Sequence, residues 1–208
     1  VPIYASEKFR GKSAQGLYGD VIEEIDWSVG EVLNALRKHR LEKDTLVIFT
    51  SDNGPWLSYG EHGGSAGPFR EGKGTSFEGG IRVPCVMQWP GHIPKGRTND
   101  TPLMTIDVLP TVARLAGAAL PTRKIDGRDV WPIVRGDRDV PHPHRAYFIY
   151  YNQGDLLAVR SGDWKLFFPH TTQTLGGKPG GTGGLPVPYQ RPAVGTELYN
   201  LRQDPAER

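Results

Sequence analysis

With 208 residues, 37% of them hydrophobic and 23% charged, the chain is long enough to bury a core and too apolar and aromatic to be disordered. Its net charge of +2 is spread over interleaved cations and carboxylates, which excludes the basic stripe or tail of a nucleic-acid binder. No stretch reaches the roughly 18 apolar residues of a transmembrane helix, and the one cysteine, Cys85, excludes an internal disulfide and any multi-cysteine metal site.

The opening Val1-Pro2-Ile3-Tyr4 carries neither an initiator methionine nor a signal-peptide pattern, so the true start is expected upstream. From Asp20 to Arg40, Val21, Ile22, Ile25, Val29, Val32, Leu33 and Leu36 recur at helical spacing, with acids early and bases late. Leu46 to Phe49 is a continuous apolar run too short for a helix and predicts a buried strand of a parallel or mixed sheet. Helix, short turn and buried strand in succession indicate an open α/β fold, whose sites lie beyond the carboxyl ends of the strands. Chemistry is therefore sought in Thr50 to Pro55 and in the glycine-rich loop from Gly60 to Gly80, a length that marks a functional or disordered segment.

Arg82 to Trp89 predicts a second apolar strand, in which Cys85 reads as a buried, inert thiol, and Asp107 to Ala116 a helix with Asp107 at its N-cap and Gly117 as its stop. His142 and His144 alternate with prolines at a composition break and read as linker, since no third donor has ligand spacing. Beyond them, 146–151, 156–160 and 164–168 are short strands joined by tight turns, the pattern of an antiparallel meander. Gly176 to Gly184 reads as a mobile surface loop, and 197–201 as a last strand.

Asp52 and Asn53 place two hard oxygen donors at a strand end, which suits calcium or magnesium, although Asp-Asn-Gly-Pro is equally the composition of a turn. Lys73 puts a cation in a loop whose glycines let backbone approach a ligand, where it could hold an anion or simply be exposed. His62 lies on the same loop and could touch substrate, while Glu78 and Arg82 read as a structural pair or exposed charges.

The order of these segments resembles the formylglycine sulfatase family, most of all its arylsulfatase and N-acetylgalactosamine-6-sulfatase branch. The resemblance is carried by 49–55, by Arg70-Glu-Gly-Lys-Gly-Thr-Ser-Phe-Glu-Gly-Gly-Ile-Arg-Val-Pro84, by Trp89-Pro-Gly91 and by 107–117. It continues through Ile125-Asp-Gly-Arg128, Arg160-Ser-Gly-Asp-Trp-Lys165 and 197–207, and so covers nearly the whole chain as the C-terminal portion of a family member.

It implies an α/β fold with an alkaline-phosphatase-like mixed sheet over 1–144, followed by a small antiparallel α+β subdomain over 145–208. Asp52 and Asn53 would be the second pair of calcium ligands, and Lys73 the sulfate-contacting lysine. The family's nucleophile is a formylglycine made in a Cys/Ser-x-Pro-x-Arg motif, which Cys85-Val86-Met87-Gln88-Trp89 is not, so it is expected upstream and the chain alone is expected to be inactive.

The resemblance further implies a sulfated small molecule or glycan as substrate, shaped by the loops at 56–69 and near Gly180, and an exported (periplasmic or extracellular) or lysosomal protein. Two alternatives stay open: a phosphomonoester or phosphonate hydrolase of the same fold, and a degenerate member that binds sulfated glycans without cleaving them.

Overall fold

The computed structural model describes residues 3–208; Val1-Pro2, on which the expected upstream start was read, lie outside the described residues. The described residues form two compact units, one of residues 3–39, 50–85 and 146–208, the other of residues 40–49 and 86–145.

In the first unit, helix α1 (Gly16–Lys38) follows the predicted periodicity and begins earlier than expected. Its start is fixed by Asp20, a buried carboxylate that accepts the backbone N–H groups of Gly11, Lys12 and Ser13 at 2.7, 3.0 and 2.8 Å. These bonds to the charged form hold the Asp20 carboxyl below its ordinary range, those from Ser13 and Gly11 contributing most. The apolar stripe of α1 is largely open, with Ile22, Ile25 and Val32 exposed.

The C-terminal segments form the expected antiparallel meander. Strands β3 (Tyr147–Tyr151), β4 (Asp155–Ser161), β5 (Trp164–Phe167) and β8 (Glu197–Asn200) make one four-stranded sheet in the order β3-β4-β5-β8. Ala158 faces Phe167 across β4 and β5, and Lys165 faces Tyr199 across β5 and β8. A small pair that the sequence did not suggest, β6 (His170–Thr171) with β7 (Ala193–Val194), lies between β5 and β8 in chain order. Phe77 of the glycine-rich loop joins Ala158, Phe167 and Val194 in the core, with Ile149 and Tyr199 packed against them.

Strand β1 (Val47–Thr50) pairs with β2 (Cys85–Gln88) in a two-stranded sheet. The expectation of buried strands is corrected: Phe49 is 42% exposed and Val86 62% exposed, because the described residues do not cover those faces. Cys85 is likewise exposed, not buried. Helix α3 (Val108–Leu115) matches its prediction, but Asp107 works one turn earlier than expected. Its carboxylate accepts Met104 N at 2.9 Å and Arg128 N at 2.8 Å, closing the 3-10 turn Thr105–Asp107.

His144 lies 2.8 Å from the buried Asp107 carboxylate and is itself mostly buried, so it is a tethered partner and not a free linker residue. A short helix α4 (Trp131–Arg135) was not foreseen, since five residues are too few to show a period.

Candidate functional site

The residues after β1 form a turn held on both sides. The Asp52 carboxylate accepts Asn53 N at 2.9 Å, the Ser51 hydroxyl donates to Asn53 O at 3.1 Å, and Asn53 Nδ2 donates to Gly54 O at 3.0 Å. Gly54 N donates to Gly80 O at 2.9 Å, which fastens this turn to the single-turn helix α2 (Glu78–Ile81). The approach is so close that a Cβ on Gly54 would lie 1.8 Å from Gly79 O, so only glycine fits there.

Asp52 is exposed and Asn53 half-buried. The pair has the chemistry of hard-cation ligands, and two residues supply only part of the six to eight oxygens that calcium takes. Among the described residues no group of three or more His, Cys, Asp or Glu is arranged to hold a metal. The pair therefore fits a calcium ion only as one side of a shell completed from elsewhere.

Lys73 is tied to the same turn by its backbone, its N–H donating to Pro55 O at 2.8 Å. Gln173 Nε2 holds the Lys73 carbonyl at 2.7 Å, and the Lys73 ammonium lies 4.8 Å from the centroid of the Trp56 ring. The side chain is half-buried, so its cation is partly desolvated against an aromatic face. Thus the structure joins Asp52, Asn53 and Lys73 through Pro55 and α2.

His62 belongs to a neighbouring piece, the 3-10 segment Leu57–His62. It packs against Gly184, its side chain is 13% exposed, and its Nδ1 has no hydrogen-bond partner among the described residues. The loop at 176–184, expected to be free, is anchored there: Gly181 N donates to Ser58 O at 2.9 Å and Gly183 N to Glu61 Oε1 at 2.7 Å. Next to Lys73, a cavity of about 160 Å³ is lined by Gly74, Thr75, Thr172, Gln173 and Arg191 among others.

Glu78 is a structural ion-pair residue, of the two readings open to it, and it is buried. It lies 3.0 Å from Lys165 Nζ, 3.3 Å from Arg160 and 4.0 Å from Arg82. Glu207 Oε1 approaches the same Lys165 Nζ at 2.8 Å, as an ion pair and not as an aligned hydrogen bond. Glu207 Oε2 accepts Glu78 N at 2.7 Å, while Arg70 donates to the Glu207 carbonyl at 2.8 Å. Burial pushes the Glu207 carboxyl up, and Lys165 offsets only part of that.

Lys165 and Glu207 were missed as partners of the site loop. One signal was available: Lys165 shares strand parity with Phe167, the inward face, where a charge demands a carboxylate.

The Sulfatase family model matches residues 2–118. Steryl-sulfatase of Homo sapiens is 47% identical over 178 residues, 80% of this chain and 30% of the relative. N-acetylgalactosamine-6-sulfatase of Canis lupus familiaris is 45% identical over 170 residues, 80% and 32% of the two chains. Arylsulfatase A of Bos taurus is 38% identical over 215 residues, 99% and 41%.

The crystal structure of PsFucS1 sulfatase from Pseudoalteromonas sp. superposes with a TM-score of 0.83 at 28% identity, over 98% of this chain and 40% of that one. Ps i-CgsB, solved in complex with k-i-k-neocarrahexaose, gives 0.73 at 27% identity, over 100% and 42%. The chain spans 30% to 41% of the length of these curated relatives, and its fold is their alkaline-phosphatase-like α/β arrangement with antiparallel sheets.

Proposed function

We propose, since this chain belongs to the sulfatase family, that the whole protein hydrolyses sulfate esters of aryl compounds or carbohydrates. The observation that carries this reading is the backbone link between Lys73 and the Asp52-Asn53-Gly54 turn, through Pro55 O and Gly80 O. It puts a cation and two hard oxygen donors on one braced loop pair, which suits an anionic oxygen cluster such as a sulfate ester better than a neutral ligand. In this reading Asp52 and Asn53 hold one side of a calcium ion, which when bound supplies positive charge to the sulfate oxygens and the leaving oxygen. Lys73 neutralises a further sulfate oxygen from its shelf on Trp56.

The nucleophile, a formylglycine, is assigned to the part of the protein upstream of Val1, and residues 1–208 alone to an inactive portion. Residues 1–144 belong to the catalytic α/β domain and 145–208 to the smaller antiparallel subdomain. The hydroxyls, amide and guanidinium around the cavity beside Gly74 favour a hydroxylated leaving group, and His62, on the neighbouring 57–62 segment, is a further candidate to touch substrate. Ps i-CgsB offers a precedent for an oligosaccharide ligand in the family. No helix among the described residues is long and apolar enough to cross a membrane, and an exported or lysosomal location is the proposed one.

Turnover of an aryl sulfate by the full-length protein tests the reading, with phosphate and phosphonate esters as competitors. Asp52→Ala and Lys73→Ala are each expected to lower kcat by about 10²–10³-fold. No turnover of any aryl or sugar sulfate, with the formylglycine confirmed by mass spectrometry, overturns it in favour of a binding protein. Preference for a phosphate ester overturns it in favour of a phosphohydrolase.

A further inference from the structure

Helix α2 has an unusual support. Its N-cap residue, Phe77, offers no side-chain acceptor, and the first free N–H, that of Glu78, is taken instead by the carboxylate of Glu207 at 2.7 Å. That cap comes from a residue 129 positions away in sequence and satisfies a donor that the turn's own N-cap cannot. The Glu78 side chain is fixed by the same group of residues, since Lys165 Nζ bridges Glu78 and Glu207 at 3.0 and 2.8 Å with no exposure of its own.

On its other side α2 carries the candidate site. Gly80 O holds Gly54 N at 2.9 Å, and Gly79 N is bonded to Arg70 O at 2.9 Å, which closes the loop that carries Lys73. The chain of bonds thus runs from Glu207 and Lys165 through Glu78 and Gly80 to the Asp52-Asn53-Gly54 turn.

We propose that Lys165 and Glu207 are positioning residues, a latch by which the C-terminal sheet and tail hold α2 so that the Asp52-Asn53 pair and Lys73 keep their relative placement. This rests on the sulfate-ester reading above for what the site binds, but not for the mechanical link. Neither residue is asked to touch substrate. Lys165 neutralises two carboxylates that would otherwise repel, and Glu207 supplies the acceptor that fixes the first turn of α2.

The test uses the full-length protein and two readouts, calcium affinity by titration calorimetry and amide hydrogen exchange at Glu78, Gly54 and Lys73. Glu207→Ala is expected to speed exchange at all three amides and to weaken calcium binding about 10-fold, the low end of the cost of losing a direct partner of a metal ligand, since Glu207 acts through α2. Glu207→Gln keeps an acceptor oxygen for Glu78 N and is expected to restore most of both. Val194→Ala, in the core of the same unit, is the control: it should lower stability and leave calcium affinity unchanged.

If Glu207→Ala does not fold, Glu207→Asp, whose carboxylate is drawn back from Glu78 N, takes its place with the same expectation. Exchange at Gly54 and Lys73 that is no faster in the folded Glu207 variant than in Val194→Ala overturns the proposal. Failure of the wild-type protein to cleave sulfate esters would remove the functional reading alone, because the exchange readout judges the latch without it.

Discussion

Glu207 and Glu78, 129 residues apart in sequence, meet across a 2.7 Å hydrogen bond from the backbone N–H of one to the carboxylate of the other. Their carboxylates share one ammonium, that of Lys165. Two buried acids this close are tolerable only because that cation lies between them and Arg160 adds a second at 3.3 Å from Glu78. Segments as distant as 70–84, 160–165 and 197–207 thus each supply charges to one buried cluster.

Removing the cation should therefore cost more than the pair is worth. Lys165→Met leaves the buried Glu207 carboxylate without its cation and Glu78 with only Arg160 and Arg82, and a loss of about 3–5 kcal/mol is expected in urea unfolding of the full-length protein. A loss within the range of ordinary surface substitutions would mean that water reaches the cluster and solvates the acids.

The pH dependence of stability carries two opposite signatures. Burial raises the Glu207 carboxyl above its ordinary 4.5, so the native state holds that proton longer than the unfolded chain. Its contribution is fully present below 4.5 and is lost as pH rises through the higher folded value. Asp20 runs the other way: three backbone N–H bonds hold it below its ordinary 3.8, so its contribution is present above 3.8 and is lost as pH falls through the lower folded value. Thermal unfolding against pH should show Glu207→Gln flattening the decline on the less acid side and Asp20→Asn flattening the acid limb. Profiles parallel to wild type in both variants would remove these groups from the balance.

Local period and turn chemistry made α1, β1, β2, α3 and the C-terminal strands readable, because in each the apolar spacing agrees with the element formed. Burial was less readable. Phe49 and Cys85 lie in apolar runs and yet are exposed, since a strand's face is covered by other segments and not by its own composition. The glycine-rich loop looked irregular, but Phe77 anchors it in the core and Gly181 is pinned to Ser58. Those contacts join residues far apart in sequence, and no window along the chain contains both partners. Asp52, Asn53 and Lys73 were legible as weak candidates from strand-end and glycine-loop placement and were singled out by the order of motifs, whereas Glu207 and Lys165 needed the fold to bring them together.

Two glycines separate conformational freedom from close packing. Gly30 lies inside α1 with no positive φ, and an added Cβ would meet nothing within 4 Å. Gly30→Ala should stabilise the protein by about 0.5–1 kcal/mol, the ordinary gain of alanine over glycine in a helix. Gly54→Ala drives a Cβ to 1.8 Å from Gly79 O, backbone that cannot swing aside. A loss of about 1–3 kcal/mol is expected there, with weakened calcium binding. Equal and small effects of the two substitutions in thermal unfolding would contradict the tight seating of the Asp52-Asn53 turn on α2.

The last expectation concerns the shelf under Lys73. Its ammonium lies 4.8 Å from the Trp56 centroid, and Trp56 is held edge-on by Tyr59 at 4.6 Å between ring centroids. An aromatic face attracts a cation by about 0.5–1 kcal/mol at such partly open sites. If that attraction orients Lys73 toward a sulfate oxygen, Trp56→Leu should lower kcat/KM for an aryl sulfate by roughly 2–5-fold. Trp56→Phe, which keeps a face under the ammonium, should recover part of the loss, and Lys73→Arg should not substitute for the native lysine, because a planar fork cannot occupy the place of a compact charge. Full activity in Trp56→Leu would show that the backbone bonds from Lys73 N to Pro55 O and from Gln173 to Lys73 O are enough to aim the side chain.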